Sequence, residues 1–119
     1  MIVALVVLGG GFGAVSRWLA TVWLGTNSKG FPVGTTAVNV AGSFVLGVLV
    51  GLDISVASNL RDPLTIGLLG GFTTFSTWMV EIDRAQPTRN RILVGIAPMI
   101  AGLAAAAVGL FIGGLIGSR

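Results

Sequence analysis

The sequence predicts an all-α membrane protein of four transmembrane helices, the third broken near its middle. The 119 residues are 54% apolar and only 9% charged, whereas roughly a quarter of residues in ordinary globular chains are charged. Four stretches long enough to cross a bilayer follow one another, residues 2–24, 32–52, 63–80 and 92–117, and Arg17 is the one charge inside them. The pair Gly70-Gly71 falls near the middle of the third stretch, where two glycines followed by Thr73 and Thr74 make a poor helix core. The connectors 25–31, 53–62 and 81–91 hold the remaining charges apart from Arg119, so residues 1–119 read as a single transmembrane domain without a soluble part.

The first span lacks the basic leading region of a signal peptide and runs straight into Arg17 and Trp18. Its Gly9, Gly11 and Ala14 match a dinucleotide fingerprint in spacing alone, because no strand precedes them and no acid closes the unit. Arg17, as an intramembrane charge, is a functional candidate. Its stem can also carry the guanidinium to the interface, which makes it a structural anchor.

In the second span Thr35, Asn39 and Ser43 stand at i, i+4 and i+8 and share one helix face. An Asn amide in lipid must find partners, so the stripe is either interhelical glue or a row of neutral donors along an ion path.

The third span is the shortest, yet it covers about 27 Å of the ~30 Å hydrocarbon thickness. Helix breaks at mid-depth are tolerated where freed backbone faces protein or a cavity, and their carbonyls commonly hold cations. Phe75 and Trp78, three residues apart just past the break, present ring edges that are weakly attractive to an anion, or they are simple packing. The fourth span carries Gly102, Ala106, Gly109 and Gly113 at helical spacing, as the first carries Gly9 and Gly13. Such flat stripes let helices approach closely in lipid.

Several function classes drop out. Cys and His are absent, which removes disulfides, thiolate nucleophiles, imidazole acid/base chemistry and the usual zinc sites, so an enzyme is not expected. The seven cationic residues form no basic run, so no nucleic-acid partner is expected. The spans as bounded above contain no Asp or Glu, which removes the usual proton relay of a coupled pump.

Three segments together carry a resemblance: residues 10–18 (GGFGAVSRW), residues 34–44 (GTTAVNVAGSF) and residues 67–77 (GLLGGFTTFST). The chain resembles the Fluc/CrcB family of fluoride channels along nearly its whole length. The resemblance implies a multi-pass plasma-membrane protein whose four-helix subunits pair antiparallel, with two pores along the dimer interface. It implies a central structural Na⁺ held by backbone carbonyls of Gly70 and Thr73, a pore-lining Asn39, and a ring-edge fluoride site at Phe75. Thr74, Ser76, Trp78, Ser43 and Thr35 are counted with these as candidate pore-lining residues, and Arg17 as a structural or vestibule residue. Two departures stand out. The second ring position, usually Phe in that family, is Trp78, and the fourth span contains none of the hydroxyl side chains expected of a polar track.

The expected function is passive fluoride export by a channel subunit in the plasma membrane. A non-conducting structural subunit of a heteromeric channel is the alternative, and a small four-helix multidrug exporter is disfavoured by the missing intramembrane carboxylate. Lys29, Arg84, Arg89 and Arg91 lie in the first and third connectors, against Arg61 and Arg119 on the other side. That bias favours one orientation, with both termini outside. It points to a heterodimer with a homologous subunit inserted the other way up rather than to a dual-topology homodimer.

Overall fold

The computed structural model describes residues 1–27, 30–52, 63–85 and 88–118. Lys29, Arg61, Arg119 and the Arg89 side chain, which enter the charge balance above, lie outside the described residues. The described chain is all helical: α1 (Ile2–Leu24), α2 (Val33–Gly51), a π-helix (Pro63–Leu69) running into the short α3 (Gly70–Phe72), then α4 (Ser76–Arg84) and α5 (Thr88–Gly117). Three helical stretches, Ile2–Leu24, Val33–Gly51 and Asn90–Gly117, are long and apolar enough to cross a membrane. The long axis of the molecule is 48 Å, close to the ~45 Å length of a helix such as α5 at 1.5 Å per residue.

Among the described residues there is almost no apolar core: Val38, Leu69 and Val94 are the buried large apolar side chains, while Phe12, Trp18, Leu103 and Phe111 are each more than half exposed. In water such a surface would aggregate; in lipid it is the solvated face. Cohesion therefore comes from close backbone approach. A Cβ on Gly13 would meet the carbonyl of Leu68, one on Gly67 would lie 2.7 Å from the Val6 carbonyl, and one on Gly71 would meet Gly10. These contacts seat α1 on the π-helix and α3. On the other side Gly47 and Gly51 lie against the carbonyls of Ala106 and Leu110, and Gly109 and Gly113 against those of Phe44 and Val48, so α2 and α5 interlock along their length.

The third and fourth helical segments run further than their uncharged stretches. Helix α4 continues to Arg84 and α5 begins at Thr88, against the expected limits of residues 80 and 92. The reason is local. Arg91 donates from Nε to the Ala85 carbonyl at 2.9 Å and from Nη2 to the Asp83 carbonyl at 2.8 Å, serving the acceptors that a helix C-terminus leaves open.

The glycine pair does not interrupt the third segment. Gly70 and Gly71 are helical, and the chain leaves the helix at Thr73, whose φ of −79° and ψ of 157° are extended, before α4 starts at Ser76. Gly71 is small because α1 passes against it. The change of direction belongs to the threonines and to what holds them.

Candidate ion pathway

Residues 73–75 leave backbone groups without helical partners at the depth of the bundle, and α2 supplies the replacement. Asn39 Nδ2 donates to the Thr74 carbonyl at 2.8 Å, and the Thr74 N–H donates to Asn39 Oδ1 at 2.8 Å. One side-chain amide thus satisfies both polar groups of one residue, as a neighbouring strand would. The second Nδ2 hydrogen has no protein partner among the described residues. Thr74, itself buried, turns its hydroxyl to the start of α4, where Oγ1 accepts the Thr77 N–H at 3.3 Å. Thr73 anchors backward, its N–H and its hydroxyl both donating to the Leu69 carbonyl at 3.0 and 2.9 Å.

A cavity of about 480 Å³ opens beside this junction, between α2, the interrupted segment and α5. Of the sequence-predicted residues it gathers Asn39, Ser43, Gly70, Thr73, Thr74, Phe75 and Trp78. No charged side chain among the described residues lines it. From α5 come Pro98, Met99, Gly102, Leu103 and Ala106, so that helix contributes no hydroxyl. Phe75 and Trp78 meet edge to face, with ring centroids 5.6 Å apart and planes at 76°. Phe75 is 67% exposed, so much of its ring is left uncovered by the chain itself.

Two of the expected pore-lining residues lie off the cavity wall. Thr35, only 3% exposed, is not on the cavity wall; its hydroxyl donates to Glu81 Oε1 at 2.7 Å. Ser76 sits exposed at the start of α4, away from the cavity; Arg17, expected as a structural or vestibule residue, is half-buried on α1. Glu81, placed in a connector by the sequence reading, lies in helix α4, half-buried, with Oε2 buried and unpartnered among the described residues. Its place at the end of an uncharged run made it read as a connector residue.

Sequence reasoning also missed the partner of Trp78. The indole Nε1 donates to the Val94 carbonyl at 2.8 Å. A signal for it existed, because Pro98 inside α5 cannot supply the N–H that would serve the residue four positions earlier.

For a cation, the described residues contain no cluster of three or more His, Cys, Asp or Glu. The oxygens along the cavity wall are carbonyl, hydroxyl and amide. Gly70 fits that chemistry, since the Thr74 N–H that an unbroken helix would aim at its carbonyl goes to Asn39 instead.

The chain is similar to known proteins over most of its length. The family of CrcB-like (Camphor Resistance, CrcB) proteins matches over residues 4–115. A protein of Leifsonia xyli subsp. xyli named fluoride-specific ion channel FluC 1 is 41% identical over 97% of this chain and 88% of its own length. The fluoride-specific ion channel FluC of Methanopyrus kandleri is 40% identical over 88% of each chain, and FluC 2 of Corynebacterium jeikeium is 38% identical over 93% of this chain and 78% of its own. A match over nearly the whole chain, joined to three long apolar helices, makes this a multi-pass membrane protein that belongs to the CrcB-like family.

Proposed function

We propose that the chain is a subunit of a fluoride-selective channel of the plasma membrane, a single four-span unit that pairs antiparallel with a homologous subunit and passes fluoride down its gradient. The observation that carries the reading is the cavity wall: amide, hydroxyls and aromatic edges, with no fixed charge among the described residues. A small, strongly hydrated anion needs hydrogen-bond donors to replace its water, and neutral donors release it more readily than a cation would. Asn39 offers its second amide hydrogen, and Phe75 its ring edge. The names of the relatives give the anion its identity.

The Gly70 and Thr73 carbonyls, met by the same pair from the opposing subunit, are the proposed seat of a structural Na⁺, which would pin two interrupted helices together. Sodium suits neutral oxygen ligands.

A second reading is favoured by one specific observation, the absence of any hydroxyl on the α5 side of the cavity. In it the partner supplies the polar track and this chain is the structural half of a heteromeric channel. Fluoride efflux from liposomes, recorded with a fluoride electrode, separates the two. The conducting reading expects chloride-excluding efflux without a pH gradient from the purified chain alone, or from its pair even when the partner's polar track is removed. Efflux only with a partner whose own polar track is intact supports the structural reading, and efflux that requires a pH gradient overturns both.

A further inference from the structure

Pro98 sits inside α5 and has no N–H, so the Val94 carbonyl has lost the donor that the helix would supply. Val94 is 2% exposed, and an unserved carbonyl at such a site is costly. The missing donor arrives from another element: the Trp78 indole N–H reaches the Val94 carbonyl at 2.8 Å. Both Trp78 and Pro98 face the cavity, and Phe75 packs edge-on against the indole.

We propose that Trp78 is a positioning residue for the ion path: its indole N–H takes the place of the helical donor that Pro98 removes, and this bond sets the ring plane against which Phe75 is held. The assignment rests on the reading of the cavity as an anion path. It changes the expected role of Trp78, since an indole has a single N–H and Val94 consumes it. Trp78 therefore offers a passing anion no N–H donor. What it offers is a fixed wall for Phe75.

The bond and its positioning role are tested together by a double-mutant cycle. Trp78→Phe leaves the Val94 carbonyl without a donor. Pro98→Ala gives that carbonyl a helical donor and leaves the indole N–H competing for it. The double variant leaves neither group stranded. The unfolding temperature in detergent should fall in Trp78→Phe and recover in the double variant. Fluoride efflux should fall at least several-fold in Trp78→Phe, because the wall that holds Phe75 is no longer fixed. It should stay low in the double variant, because the substituted phenyl ring has no hydrogen bond to orient it. Purely additive stability effects overturn the bond. Recovery of efflux together with stability overturns positioning and reduces Trp78 to a structural plug. A wild-type assembly that moves no fluoride overturns the channel reading and the positioning role with it, while recovery of stability in the cycle would still establish the bond.

Discussion

Asn39 combines two demands that pull substitutions in different directions. Its amide closes both backbone groups of Thr74, and its remaining hydrogen is the donor proposed for the anion. Asn39→Ala strands two groups and should cost roughly 2–4 kcal/mol of stability. Asn39→Asp keeps the bond from the Thr74 N–H but sets a carboxylate against the Thr74 carbonyl and into the anion's path. The two properties should therefore rank in opposite order. Unfolding in detergent should place Asp between wild type and Ala, while liposome efflux should place Ala between wild type and Asp, which conducts nothing. If efflux simply follows stability across the three proteins, Asn39 is a clamp and nothing more. Thr35 gives a simpler case: Thr35→Val removes a hydrogen bond from the half-buried Glu81 carboxylate and should lower stability by about 1–3 kcal/mol, whereas Thr35→Ser should hold it.

Between elements, the glycines divide by what lies beyond them. A Cβ on Gly71 meets the Gly10 carbonyl, while one on Gly70 finds its nearest neighbour, the Thr65 carbonyl, at 3.9 Å. Gly71→Ala should therefore force α1 away from α3, with a loss of roughly 1–3 kcal/mol. Gly70→Ala is accommodated within this chain. Loss of conduction or of dimer in Gly70→Ala, read by efflux and size exclusion, would mean that something outside the chain uses that face, as the proposed cation and opposing subunit do. An inert Gly70→Ala counts against both. On the other seam, Gly109→Ala and Gly113→Ala should each separate α2 from α5, for the same reason of backbone contact.

At the scale of the whole molecule, so few large apolar side chains are buried among the described residues that the outer faces suit lipid. The count of Lys and Arg, four against two across the connectors and tail, favours one orientation. Tag accessibility at the C-terminus in cells should show it outside in a single population, with a second four-helix chain co-purifying. A mixed population of inside and outside tags would instead indicate a dual-topology homodimer. The sodium proposal belongs to the same scale: dialysis into choline buffer should lower the dimer fraction on size exclusion, and a dimer indifferent to sodium would remove that site. Thr73→Val should matter less than Gly70→Ala in this assay, because the Thr73 hydroxyl is spent on Leu69.

The extent and character of α1, α2 and most of α5 were legible from the sequence, because lipid imposes one requirement, sustained apolarity, that composition records directly. The Thr35, Asn39 and Ser43 stripe was legible from its helical period. That Asn39 and Ser43 line the cavity while Thr35 pairs with Glu81 was not, since a helical period names a face and leaves open which neighbour that face meets at each height. Of the break expected over residues 70–74, the glycines themselves are helical and the chain turns extended at Thr73, while Gly71 is small for the sake of α1. Glycine reports low helix propensity along the chain equally well whether the cause is a bend or a close neighbour. Glu81, Arg91 and the Trp78 bond to Val94 likewise join groups on different elements. Local periodicity carries no information about such pairs, and only the packing of α2, α4 and α5 against one another decides them.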